Sequence, residues 1–285
     1  GDTLDGLEAW LGTFHGRVPQ DLLDIPRHQL WRIIEIGNNY GFYPNGHLKD
    51  FFAAWLARNV SFDALKLDIA RELVLPCYLF NHAEGFAQVT KWLVYNHGGP
   101  MTERKPVVQI RFRPGFALPD FIGAMNQARV RLKTILHSRL WLHPRNLLRT
   151  PHLCECWKVT ISEYLSELVN LEVFPLDDFL HRASLSDITH RIRQFKHHSA
   201  APNCTTCNIN WVGVVFRAVR ATEAYFDGLC LDCMERSRGR DGDENYWRQC
   251  GSVDKLWDSR CRITHGEPSW YVSWLGRNDH KQKLL

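Results

Sequence analysis

The chain has 285 residues, a formal net charge of +4 and a hydrophobic fraction of 45%, with eleven Trp. This much apolar and aromatic material can build a sizeable core, which excludes disorder for most of the chain. No stretch approaches the ~20 consecutive apolar residues of a membrane span, and no signal peptide is visible at the start. The mild positive charge is spread along the sequence, so it neither favours nor excludes an acidic partner.

Apolar residues recur at helical spacing through most of the first two hundred residues. The helices predicted in chain order are 4–14, 28–38, 45–59, 61–74, 81–94, 119–141, 151–171, 184–195 and 211–226. Pro76 is expected to end the fourth of these near Leu75, because proline lacks a backbone N–H and clashes with the preceding turn. Asn81 with Glu84 resembles a capping box, and Ser184 with Asp187 is a second capping pair. The one strand-like alternation, 107–113, lies in a candidate linker, 98–115.

Cysteine is the most informative residue type. The chain has nine Cys, and six of them lie between Cys204 and Cys261. An odd number in a protein too large to need disulfides indicates a reducing compartment and metal binding rather than a disulfide framework.

The clustered cysteines have the spacing of zinc ligands. Their pattern is Cys204-x2-Cys207, Cys230-x2-Cys233 and Cys261-x3-His265. A Cys-x2-Cys turn presents two thiolates to one tetrahedral Zn²⁺, and a second pair completes the shell. Six ligands exceed one site, so three arrangements stay open: the last two pairs together, the four cysteines of the first two pairs, or two sites that recruit His197 or His198. A complete protein shell indicates a structural zinc ion.

The remaining cysteines have simpler interpretations. Cys77 is predicted to be buried, and Cys250 has no assigned role. Cys154 and Cys156 fall in a predicted helix, where residues two apart point to different sides, so we expect them to pack without sharing a metal.

These observations predict an all-α fold, a multi-helix body with a small C-terminal zinc-binding lobe. Three regions are expected: an N-terminal helical region, 1–98, a central helical region, 116–200, and the zinc-binding lobe, 201–285. The aromatic residues Trp270, Tyr271 and Trp274 follow the last metal-ligand pair. They are candidate anchors for a protein partner, since Trp and Tyr dominate binding hot spots.

The C-terminal part resembles the conserved tail of fungal BTB/POZ-domain-containing proteins. The segments that carry the resemblance are 226–233 (FDGLCLDC), 257–266 (WDSRCRITHG) and 268–271 (PSWY). Further upstream, 7–19, 30–55 and 75–94 resemble the helices that finish a BTB fold and follow it. In that family the GLCLDC and CRxxH elements occur together, which favours Cys230, Cys233, Cys261 and His265 as the ligands.

The resemblance also implies a role. The strands of a BTB domain would precede Gly1, and the chain lacks an initiator Met, so we expect a dimerising segment upstream. A member of that family would be an adaptor or scaffold of the nucleus or cytoplasm that binds other proteins.

The sequence leaves two alternatives to this adaptor hypothesis, a metalloenzyme and a nucleic-acid-binding protein. No nucleotide-binding, hydrolase or metalloprotease motif is present in the sequence. A metalloenzyme would also need an open zinc position beside a carboxylate such as Asp232 or Asp258. A zinc-dependent nucleic-acid-binding protein would need its basic residues on one face. The residues in question are Arg191, Arg193, Lys196, Arg236, Arg238 and Arg240. Arg129 and Lys133 form a separate basic pair on one face of another predicted helix. The sequence favours a protein that is not an enzyme and has no membrane partner.

Overall fold

The computed structural model describes residues 4–16, 20–102, 121–149, 154–175, 182–197, 203–206, 208–237 and 260–265. The helices are α1 (Leu4–Phe14), α2 (Arg27–Tyr40), α3 (Pro44–His47), α4 (Lys49–Asn59), α5 (Leu67–Leu79), α6 (Ala83–Asn96), α7 (Phe121–Arg149), α8 (Trp157–Asn170), α9 (Leu185–Ile192), α10 (Trp211–Glu223) and α11 (Leu231–Ser237). Short 3₁₀ segments lie at Gln20–Asp24 and Phe62–Ala64. Within these ranges there is no strand, which confirms the all-α prediction. The strand-like segment 107–113 lies outside the described residues.

Helix boundaries differ from the prediction at Leu48 and at two prolines that lie inside helices. The segment predicted as one helix over 45–59 is divided at Leu48 into α3 and α4. α5 continues through Pro76, because the residues after the proline, Cys77 and Phe80, are fully buried and stabilise the last turn. α7 passes Trp141 and extends through Pro144 to Arg149.

One of the two predicted caps is confirmed and the other is wrong. The hydroxyl of Ser184 accepts a hydrogen bond from the Asp187 amide at 3.0 Å, as expected. At the start of α6, the acceptor for the Gly85 amide is His82 Nδ1, at 2.9 Å. Asn81 lies in the left-handed region, with φ 55°, and its side-chain oxygen accepts from Arg262 instead.

The chain divides into two compact units. The first comprises residues 1–93, 102–125 and 227–285. Its core includes several aromatic rings, and those of Phe52 and Phe80 stack with centroids 4.6 Å apart. Trp10 and Trp55 are fully buried, and each indole N–H donates to a backbone carbonyl, at 2.9 and 2.8 Å respectively. Trp10 and Trp55 are therefore buried with their indole N–H groups satisfied.

The second unit comprises residues 94–101 and 126–226. Its core is built by α7, α8, α9 and α10. Tyr164 of α8 stacks on Trp211, the first residue of α10, with ring centroids 4.2 Å apart. The Tyr164 hydroxyl donates to the Leu140 carbonyl of α7 at 3.0 Å. This aromatic pair fixes the start of α10 against α8.

The described residues 227–237 and 260–265 are grouped with the N-terminal residues, whereas the sequence predicted a separate lobe over 201–285. The reason is a direct backbone contact between Gly228 and α6, described below. Among the residues that the structure describes, no helix combines the length and apolar character needed to cross a lipid bilayer.

Candidate metal centre

Three cysteines and one histidine of the first unit form a buried cluster. The ligand atoms of Cys230, Cys233, Cys261 and His265 all lie within 4.8 Å of one another, and all four residues are buried. Cys233 Sγ is 3.6 Å from Cys261 Sγ and 3.4 Å from His265 Nε2. Thiolates about 2.3 Å from a tetrahedral Zn²⁺ would be about 3.8 Å apart. The cluster can therefore hold a metal ion with all four ligands.

The first two ligands lie on a turn that opens α11. The Cys230 carbonyl accepts a hydrogen bond from the Met234 amide at 3.0 Å. The Cys233 amide donates to Cys230 Sγ at 3.5 Å. An amide that donates to a ligand sulfur fixes its orientation and stabilises its negative charge. The GLCLDC turn thus presents both sulfurs to one point.

This turn is seated directly on α6. Gly228 has φ +99°, and a Cβ placed on it would lie 2.0 Å from the Ala87 carbonyl oxygen. The next residue, Leu229, donates its amide to Thr90 Oγ1 at 2.9 Å, and Thr90 is fully buried. Only glycine allows this approach of two backbones. Gly228 is therefore required for the position of the two cysteines.

The second pair of ligands is held by Arg262, which follows Cys261. The Arg262 amide donates to Asp232 Oδ2 at 2.7 Å, and its Nε donates to Asp232 Oδ1 at 2.9 Å. The same guanidinium donates to the backbone and side-chain oxygens of Asn81, at 3.0 and 2.8 Å. The Cys-x3-His segment is thus joined both to the first ligand pair and to the turn before α6.

The cysteines of the cluster do not ionise equally. Hydrogen bonding from Cys230 and His265 lowers the pKa of the Cys233 thiol, against the opposing effect of burial. The same hydrogen bond to Cys233, together with burial, raises the pKa of the Cys230 thiol. One thiolate is favoured while further negative charge in the buried space is opposed. A divalent cation would allow all three thiols to ionise together.

Four of the six metal ligands predicted from the sequence lie together in the structure. Cys230, Cys233, Cys261 and His265 come together, which is the first of the three predicted arrangements. Cys204 is not in this cluster. Its Sγ lies with those of Cys154 and Cys156, within 4.8 Å of both. Cys207 and the candidate partner anchors Trp270, Tyr271 and Trp274 lie outside the described residues.

The proximity of Cys154 and Cys156 removes the geometric reason for expecting that they would pack without sharing a metal. That expectation assumed a helix beginning at Pro151, but α8 begins at Trp157. Both cysteines precede the helix, so the rule that separates side chains two residues apart on a helix does not apply. The Cys-x-Cys spacing, followed by helical periodicity only from Trp157, was the signal available in the sequence.

Comparison of the chain with protein-family models, curated proteins and solved structures gives no match. The resemblance to BTB/POZ-domain-containing proteins therefore rests on the sequence motifs alone, and it stays a prediction.

Proposed function

We propose that the protein is a non-enzymatic adaptor or scaffold that binds other proteins and is stabilised by a structural zinc ion. The ligands are Cys230, Cys233, Cys261 and His265. The observation that carries the proposal is that all four ligands are buried together. Four protein ligands fill a tetrahedral zinc shell and leave no position for a reactive water. Thiolate and imidazole donors favour zinc over magnesium or calcium. Zinc bound in this way contributes on the order of 10 kcal/mol to folding.

The adaptor role is supported by the resemblance of the GLCLDC and CRxxH elements to the tail of fungal BTB/POZ-domain-containing proteins. On that basis we propose a nuclear or cytoplasmic location. Trp270, Tyr271 and Trp274 are proposed as anchors for the partner, because large aromatic side chains provide much of the affinity in protein interfaces.

A metalloenzyme fits the site less well. The carboxylate suggested as a catalytic group, Asp232, accepts hydrogen bonds from Arg262 on both of its oxygens. A carboxylate held in this way positions the ligand segment and is poorly placed to take a proton from a metal-bound water. Asp258, the other candidate, lies outside the described residues.

Nucleic-acid binding has little support from the described basic residues. Arg191 pairs with Glu172 at 2.8 Å, and Arg193 pairs with Glu223 at 2.6 Å. Arg129 is buried and donates to the backbone carbonyls of Gly98 and Gly99. Charges that are already paired or buried add little to phosphate binding. The side chains of Arg236, Arg238 and Arg240 lie outside the described residues.

The zinc site is tested by metal content and by cobalt substitution. Cys230→Ser should lower the zinc content by one ion per chain, whereas Cys77→Ala, a cysteine outside the cluster, should leave it unchanged. Cobalt in this site should give the intense visible bands of tetrahedral thiolate coordination, and azide should not alter them, because no ligand position is open. A spectrum that shifts with azide would contradict the structural role and favour an enzyme.

The adaptor role is tested with the intact protein carrying a photo-crosslinker at exposed surface positions. Partner proteins cross-linked by the wild type should be lost from a Trp270→Ala, Trp274→Ala double variant. Phe216→Ala provides the control, since this side chain is 60% exposed and is not a proposed anchor. Identical cross-linking by all three proteins would contradict the role of the aromatic anchors.

A further inference from the structure

A second group of cysteines lies in the other compact unit. The sulfurs of Cys154, Cys156 and Cys204 all lie within 4.8 Å of one another, and each residue is half-buried. None of the three is in a disulfide. Three thiols gathered from two segments about fifty residues apart in the sequence are an arrangement suited to a thiophilic metal ion.

Each of the two segments leads into a helix. Cys156 immediately precedes α8, and its carbonyl accepts the Thr160 amide at 3.1 Å. Cys204 lies on a turn closed by the Asn208 amide, which donates to the Cys204 carbonyl at 3.0 Å. Asn210 then caps α10 by accepting from the Gly213 amide at 2.8 Å. Both cysteine-bearing segments therefore have defined backbone geometry.

The packing of α8 and α10 determines where these segments meet. Tyr164 and Trp211 are each 1% exposed and stack with centroids 4.2 Å apart. Because this stack includes the first residue of α10, it fixes the turn that carries Cys204 relative to α8. The three sulfurs are thus brought together by the hydrophobic core of the unit, and the site would be largely formed before a metal binds.

We propose that Cys154, Cys156 and Cys204 bind a second structural zinc ion. These three thiols are the ligands that the described residues supply, and a set of three sulfur ligands favours a thiophilic ion such as zinc. His197, the alternative from the sequence, does not join the group, and its Nε2 lies 3.6 Å from a Glu163 carboxylate oxygen. Each compact unit would then contain one zinc ion that joins segments distant in the sequence.

The first test is the zinc content of purified, reduced protein. We expect two ions per chain in the wild type, one in Cys230→Ser, one in Cys204→Ser and none in the double variant, with two retained in Cys77→Ala. One ion in the wild type that is lost in Cys230→Ser and kept in Cys204→Ser would overturn the second site. One ion in the wild type that is lost in Cys204→Ser and kept in Cys230→Ser would support the second site. It would contradict zinc binding by the cluster that contains Cys230 and His265.

The second test identifies the ligands and does not depend on variants of the three described cysteines. Zinc X-ray absorption of Cys230→Ser reports only the second site, where we expect at least three sulfur neighbours. A shell with fewer than three sulfurs would overturn the proposal.

A third measurement uses the wild type alone. Alkylation followed by peptide mass spectrometry should find Cys154, Cys156 and Cys204 protected in the zinc-loaded protein and reactive after a chelator is added. Equal reactivity with and without the chelator, or a disulfide among the three in reduced protein, would overturn the proposal.

Discussion

Arg262 and Asp232 form a two-point contact in which each oxygen of the carboxylate accepts one hydrogen bond, at 2.7 Å from the Arg262 amide and 2.9 Å from its Nε. Asp232 immediately precedes Cys233, and Arg262 immediately follows Cys261. The pair therefore joins the two ligand segments beside the metal ligands themselves. Its side chains are 35% and 14% exposed, so solvent screens it less than an ordinary surface pair.

Replacing Arg262 should weaken metal retention without removing a ligand. Arg262→Met loses the guanidinium bonds to Asp232 and Asn81, so the Cys-x3-His segment is held by its metal ligands and backbone alone. We expect roughly tenfold faster loss of this zinc to a chelator, in line with the effect of removing a group that orients metal ligands. Zinc release followed with a chromogenic chelator measures the rate.

Arg27→Met is the matched control for this variant. Arg27 pairs with Glu72 at 3.2 Å on an exposed surface, and its loss should leave the release rate unchanged. Asp232→Asn combined with Arg262→Met completes a double-mutant cycle, in which strong coupling is expected. Additive effects of the two substitutions would contradict the clamping role.

Gly228→Ala should be more damaging than alanine at Gly16, the other positive-φ glycine considered below. The added Cβ would meet the Ala87 carbonyl oxygen at 2.0 Å, at a backbone φ of +99°. We expect a loss of about 3 kcal/mol or more in the free energy of unfolding, from overpacking and backbone strain together. Urea unfolding of the zinc-loaded protein measures this loss.

Gly16→Ala separates strain from the close approach. Gly16 also has positive φ, +69°, but nothing lies within 4 Å of an added Cβ, so about 1 kcal/mol of left-handed strain is expected. Equal losses for the two variants would show that Gly228 does not depend on its contact with α6.

Thr90 should be sensitive to loss of its hydroxyl rather than of its methyl group. Thr90 Oγ1 accepts from the Leu229 amide at 2.9 Å and donates to the Phe86 carbonyl at 2.7 Å. Thr90→Val keeps the shape but leaves the Leu229 amide without its acceptor, which should cost about 1–3 kcal/mol. Thr90→Ser keeps the hydroxyl and should cost less. Thermal unfolding of both variants tests this order, and a larger loss in Thr90→Ser would contradict it.

Periodicity was sufficient to predict most of the helices, whereas the spacing of the cysteines left three ligand arrangements open. The 4–14 segment is helical over its full predicted length, because a regular apolar stripe has a local cause. The ligand set with Cys261 and His265 was favoured by the resemblance of two short motifs. Both signals are local in sequence, and the structure brings the four ligands together.

The second cysteine cluster could not be predicted in the same way. It joins segments about fifty residues apart in the sequence, and such a tertiary approach cannot be read from the spacing of the cysteines. The start of α6 was misread for a related reason, since a histidine ring nitrogen took the place expected for the Asn81 side chain. As a result, the cap of α6 is the His82 ring, which can be protonated.

His82 should make stability depend on pH in the weakly acidic range. Burial lowers the pKa of His82 below its usual value of 6.5, and its Nδ1 must stay unprotonated to accept from the Gly85 amide. Below pH 6.5 the unfolded chain therefore binds more protons than the folded one. This contribution to stability is complete above pH 6.5 and is lost as the pH falls from 6.5 through the lowered pKa of the folded state.

His82→Asn keeps an acceptor suited to a helix N-cap and removes the titration, so its stability should fall less than that of the wild type between pH 7 and pH 5. Urea unfolding across this range, with His28→Asn at an exposed position as the control, measures the difference. Parallel pH profiles for wild type and His82→Asn would show that the ring is not the titrating cap, because any loss of stability from protonation of the zinc ligands is common to both proteins.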